Sequence, residues 1–183
     1  MADADSPRPW PLDSSELEHE YPIFGVFRDR VRSPRTGQQH DFYVVRAPDA
    51  VVVVAVTAAG ELVMVEQYRH GVRRLTLELP AGLLDEDEPL RAARRELREE
   101  TGYEADDLAS IGLIDQNPSW ETTRVHVAVA HGAARTAEKE LDAGEDTRVR
   151  LVARDRLHAM ISSGEITSAI AIAALYLFEA VER

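Results

Sequence analysis

The chain has 183 residues, 44% of them hydrophobic, enough for one globular domain with a real core and a small extension. A net charge of −12 and a pI near 4.9 exclude a basic surface for nucleic acid or anionic membrane, so an anionic ligand must be met by local arginines or a metal. There is no cysteine, which rules out disulfides, thiolate zinc sites and cysteine nucleophiles.

Residues 1–20 are rich in Pro, Asp, Ser and Glu and predict a loose, flexible N-terminal arm. They lack a basic start followed by an apolar run, so no secretory leader and a cytoplasmic location are expected. The segments "IFGVFRDRVRS" and "HDFYVVRA", joined by the turn-like "SPRTGQQ", predict a small antiparallel β extension over residues 21–48. These strands are too few to bury a core of their own. From residue 49 to 183 a larger domain is expected. "AVVVVAVTAAGELVMVEQYR" reads as two strands turning at Ala59-Gly60, the first buried on both faces. "LTLELPAG" is a short strand stopped by Pro80.

A helix follows, with Pro89 in its first turn, Gly102 as its C-terminal cap, and Leu90, Ala93 and Leu97 facing the core. The strands "LASIGLID" and "TTRVHVAVA" flank the polar loop "QNPSWE"; an acidic loop "EKELDAGED" leads to the strand "TRVRLVA" and two C-terminal helices. The apolar-rich runs Ala50–Ala59 and Ala169–Phe178 are too short to cross a bilayer. Strands before, between and after three helices predict an α/β domain with a central sheet between helices.

Within that first helix, "RRELREETGY" concentrates charge. Glu96 and Glu100 are i,i+4 neighbours with Glu99 beside both, near a helix C-terminus, where the macrodipole disfavours anions. An ordinary salt-bridged surface helix, with pairs such as Arg95–Glu99, is one reading. The other is a cation site: Glu96, Glu99 and Glu100 converge on one side, after a tight "LPAGLLD" loop whose carbonyls are further hard oxygen donors, as Mg²⁺ requires.

The stretch "GLLDEDEPLRAARRELREETGY" resembles the Nudix box. Its second half, Arg95 to Tyr103, matches in full; its first half is one residue short, so the outer acid is Asp87 counted back from Arg95, or Glu88 counted forward from Gly82. The resemblance implies a Nudix α/β/α sandwich with a mixed central sheet, and hydrolysis of a nucleoside diphosphate linked to another group, with Mg²⁺ or Mn²⁺ as cofactor. It further implies the Ala81 carbonyl, Glu96, Glu99 and Glu100 as metal ligands, Glu99 also serving in catalysis, and Arg95 as the group that orients a glutamate.

The flanks are similar to those of the ADP-ribose pyrophosphatases: Pro118, fifteen residues past Tyr103, the segment "VEQYRHGVRRLTLELPAG", and the C-terminal third from Leu141. By that likeness Arg69 contacts substrate phosphates and Glu145 is the general base, with Asp142 and Asp146 as neighbours able to share the role. Trp120 stacks on a purine or packs against the N-terminal arm; both fit an aromatic in polar surroundings. Arg28, Arg30 and Arg46 lie in the region that crosses a homodimer in the resembling enzymes. No histidine is assigned as a ligand. The products implied are AMP and a sugar phosphate. Another nucleotide sugar such as GDP-mannose, or a silent ADP-ribose sensor, is the alternative. Neither nucleic acid nor membrane is an expected partner.

Overall fold

The computed structural model describes residues 6–84, 88–141 and 143–182. The chain divides into two compact units, one reaching to Pro48 and taking in Asp115–Thr123, the other formed by Asp49–Ile114 and the chain from Arg124 onward.

The first unit is an antiparallel three-stranded sheet, ordered β1 (Leu12–Glu20), β2 (Gly25–Arg32), β3 (Gln39–Arg46). The sequence reading left residues 12–20 in a loose arm; they form a strand. Local composition gave no sign of this because the partners lie across the ladder: Arg32 pairs with Asp13 at 2.9 Å and Arg28 with Glu16 at 2.6 Å. Leu12, Leu17, Phe42 and Tyr43 remain substantially exposed. The 115–123 segment is stitched to β3 through its backbone, with Val45 N–H donating to Trp120 C=O and Thr122 N–H to Val45 C=O.

The second unit is a mixed eight-stranded sheet with helices on both faces, an α/β/α sandwich. Its main path runs β11 (Thr147–Ala153), β5 (Glu61–Arg69), β4 (Ala50–Thr57), β10 (Arg124–Arg135), β8 (Tyr103–Glu104). Shorter or lateral strands join it: β6 (Arg74–Glu78) on β5, β7 (Ala81–Leu83) on β4, and β9 (Asp107–Asp115) on β10. β4 and β10 pair in parallel, while β4 pairs antiparallel with β5 and β7. Alternation along β4 explains its continuous valine run. Val52 and Val54 face one layer with α2 (Leu157–Ser162) and α3 (Ala169–Val181), whose Leu157, Met160, Leu175 and Phe178 are buried. Val51, Val53 and Ala55 face the other, against Ala92, Ala93 and Leu97 of α1 (Pro89–Thr101). Among the described residues, no helix is long and apolar enough to cross a membrane.

Candidate active site

α1 is bounded by the signals its sequence carries. Pro89 occupies the first turn, the Glu88 carboxylate accepts from Arg91 N–H, and Gly102 closes the helix at φ 73° with its N–H on Arg98 C=O. Of the two candidates for the outer acid, Glu88 is therefore the helix cap, and Asp87 lies outside the described residues. Because Ala92, Ala93 and Leu97 are pressed onto the sheet, the helical repeat carries Glu96 and Glu100 below the surface too, at 7% and 3% exposure; Glu99 stays half-buried. Two carboxylates on the inner side of an amphipathic helix are costly unless something answers their charge.

Little does. Glu100 Oε2 accepts from Ala81 N–H at 3.0 Å. Burial pushes its pKa up to about 8 against that hydrogen bond, with the nearby charges of Glu96 and Glu145 adding to the rise. Glu96 is raised as well, by burial first, with Arg95 opposing and Glu99 and Glu145 adding. Arg95 Nη1 lies 2.8 Å from Glu96 Oε1 and 3.2 Å from Glu99 Oε2, placing a guanidinium between the two acids.

β7 supplies the floor. A Cβ built on Gly82 would stand 2.1 Å from the Glu96 carboxylate, so only glycine lets that side chain lie directly against the strand. In the sequence Gly82 serves only as the first residue of the motif.

Arg69, at the end of β5, makes a two-pronged bond to Glu78 on β6: Nε to Oε1 at 3.1 Å and Nη2 to Oε2 at 2.8 Å. Thr76 Oγ1 donates to the same carboxylate at 2.6 Å. Burial opposes ionisation of Glu78, but the Arg69 and Thr76 bonds prevail and its pKa is lowered. Arg69 is also within electrostatic range of Glu100 and Glu145. Neither Glu78 nor Thr76 was singled out from sequence; an arginine anchored from a neighbouring strand has no local signature.

Glu145 is exposed in the β10–β11 connection and lines a cleft of about 260 Å³ with Gly82, Leu83, Arg95, Glu96, Glu99 and Glu140. Glu140 is a further acid that sequence reasoning passed over. Asp146 is exposed and not among the lining residues, and Asp142 lies outside the described residues. Pro118 and Trp120 belong to the other unit, where the Trp120 ring is half-exposed and, among the described residues, has no ring partner.

The donor set suits a hard divalent cation: its side-chain donors are carboxylates, two of them buried, with charge repulsion among Glu96, Glu100 and Glu145 that a cation would relieve. Among the described residues no three acids already converge on one point.

The NUDIX domain profile matches residues 46–170, more than half of the chain. The chain belongs to the Nudix family. It is 38% identical over 165 residues to the ADP-ribose pyrophosphatase of Bacillus subtilis, covering 87% of this chain and 89% of that protein. It is 36% identical over 171 residues to the ADP-ribose pyrophosphatase of Mycobacterium tuberculosis, covering 92% and 82%. A crystal structure of an ADP compounds hydrolase superposes with a TM-score of 0.84 over 97% of this chain and 96% of that one, at 21% identity, which speaks for the Nudix fold. The matched span includes α1 and its buried glutamates.

Proposed function

We propose that this Nudix enzyme hydrolyses the diphosphate of ADP-ribose or a related ADP-sugar, giving AMP and a sugar phosphate, with Mg²⁺ or Mn²⁺ as cofactor and in the cytoplasm. The observation that carries the reading is the pair of buried carboxylates Glu96 and Glu100 near Glu145 and an anchored arginine, in a chain 38% identical to an ADP-ribose pyrophosphatase.

Glu96, Glu99, Glu100 and the Ala81 carbonyl would hold the cation, which supplies positive charge against the diphosphate and acidifies the attacking water. Arg95, bonded to both, fixes the directions of Glu96 and Glu99. Arg69, its fork held by Glu78, presents fixed positive charge to a substrate phosphate, so little ordering remains to be done on binding. Glu145 accepts the proton of the water. The water oxygen bonds to the adenosyl phosphorus, the bond from that phosphorus to the bridging oxygen breaks, and the sugar phosphate leaves with the bridging oxygen. Trp120 has a half-exposed ring able to stack on a purine, and Pro118 lies in the same segment. The enzyme works as a homodimer: the exposed Leu12, Leu17 and Phe42 of the N-terminal sheet are apolar surface that a second copy would cover.

A hydrolysis panel of ADP-ribose, other nucleotide sugars and nucleoside triphosphates, with Mg²⁺ and Mn²⁺, tests this. ADP-ribose is expected first, AMP as nucleotide product, and ¹⁸O from labelled water in the AMP. GDP-mannose or a triphosphate in first place overturns the substrate; no turnover of any, with ADP-ribose still bound, makes the protein a sensor. Light scattering should give twice the 20.4 kDa of one chain.

A further inference from the structure

Among its 21 basic residues the chain uses lysine once, at Lys139, and arginine everywhere else. Lys139 stands near the start of the β10–β11 connection that carries Glu145, and its Nζ donates to the backbone carbonyl of Thr147, where that connection ends and β11 begins. One side chain thus joins the two ends of the loop. Both ends are pinned to the helix as well. On entry, Glu140 N–H donates to Glu99 C=O at 2.9 Å and Arg98 Nη2 to Glu140 Oε1 at 2.7 Å. On exit, the buried Thr147 donates its Oγ1 to Glu100 C=O at 3.2 Å. Two of these anchors are the backbone carbonyls of Glu99 and Glu100, whose side chains belong to the acid cluster.

We infer that Lys139 is a positioning residue for hydrolysis: by tying the two ends of the loop together it holds the Glu145 carboxylate in register with Glu96, Glu99 and Glu100. An ammonium suits the place, being a compact charge with three donors on a flexible stem, able to satisfy a half-buried carbonyl near the negative end of α1. Glu145 and Asp146 are exposed, so their positions depend on how the ends of the loop are held. Without the tie, loop closure must be achieved anew in each catalytic cycle, which lowers turnover without weakening the ground-state complex.

The inference rests on the proposed general-base role of Glu145, and the experiment separates the two. K139M keeps the stem and removes the donors. It should lower kcat by at least about tenfold while KM and Mn²⁺ affinity stay within about threefold, and K139R should regain most of the loss. In the metal-free protein, amide exchange between residues 140 and 146 should quicken by at least about fivefold in K139M. On an E145Q background K139M should change kcat by less than about twofold, because the two act through one carboxylate. Acetylation of the folded wild type needs no refolding of a variant: Lys139 is the sole ε-amine, so turnover should fall, and K139R treated likewise should keep its activity. An inactive E145Q with K139M at wild-type turnover overturns the tie and leaves the base role standing. An active E145Q overturns the base role, and with it any action of Lys139 through Glu145. Equal losses from K139M in both backgrounds also overturn the tie.

Discussion

The acids of β1 and the acids of α1 come from stretches of similar charge density, and the fold treats them in opposite ways. On β1, Asp13, Glu16 and Glu18 each face an arginine across the strand, at 2.9, 2.6 and 2.5 Å, all near solvent. On α1, Glu96 and Glu100 are buried, one sharing a single guanidinium with Glu99 and the other answered by one backbone N–H. Water and arginine meet the first set at little cost, so those pairs hold a sheet together and do little else. The second set carries charge that folding alone leaves poorly compensated, which is the pattern of a site awaiting a cation. Counting charges does not separate the two; burial and partners do.

The largest expected effect comes from removing one buried acid. E96Q and E100Q should each lower turnover by at least about a hundredfold, since the lost ligand weakens the charge stabilisation that dominates phosphoryl transfer. Metal-free stability should hold or rise, because the amide relieves repulsion among Glu96, Glu100 and Glu145. Thermal scans beside kinetics at saturating Mg²⁺ would check both; near-normal activity in the two variants would mean that these glutamates hold no metal.

Next is G82A. Its φ is outside the left-handed region, so alanine brings no backbone strain, only a methyl that would stand 2.1 Å from the Glu96 carboxylate. Displacing that carboxylate should weaken Mn²⁺ binding by about ten- to a hundredfold. Calorimetric titration measures it, and unchanged affinity would show that the close approach of Glu96 to β7 is incidental.

This comparison also marks where sequence reasoning succeeds. The bounds of α1 were legible because Pro89 and Gly102 act through their own backbone, and the two-faced burial of β4 because four successive valines admit few other readings. The acids of α1 were legible as a set through their spacing. β1 was not, since it is held by its ladder with β2, and local composition cannot pair the two. Gly82 and Glu78 escaped for the same reason: one matters through a helix that folds back over it, the other through an arginine on the adjacent strand. Residues whose role is a contact distant in sequence have no local pattern to read.

E78Q sits between the extremes. The amide gives up the two-pronged bond to Arg69, so KM for ADP-ribose should rise by about tenfold with a smaller change in kcat. The pH dependence should change as well. The Glu78 pKa is lowered from its ordinary 4.5 in the folded protein, so the unfolded chain binds the proton first. Its contribution to stability is therefore fully present above pH 4.5 and is lost as pH falls through the lower folded value. E78Q should lack that part of the acid sensitivity. Denaturation curves from pH 3 to 7 would show it; parallel curves for both proteins would mean the Arg69–Glu78 pair is broken in solution.

The smallest effect is expected on the β1 side. In E18Q, Arg28 loses its 2.5 Å partner but keeps Glu16 at 2.6 Å and Asp41 at 3.6 Å. The guanidinium is near solvent, where attraction is screened and ordering two long side chains offsets much of the gain. The strand itself is held by its ladder with β2, which runs from Leu12 opposite Val31 to Glu20 opposite Gly25 and needs no carboxylate at position 18. The melting temperature should therefore move by no more than about 2 °C, and by less when salt is raised, because the lost attraction is one that salt already weakens. Turnover should stay at the wild-type level, since Glu18 has no part in the acid cluster of α1. Thermal scans at two ionic strengths decide it. A fall of more than about 5 °C that salt does not diminish would mean that the β1 acids are structural in the strong sense, and the contrast with α1 would be one of degree.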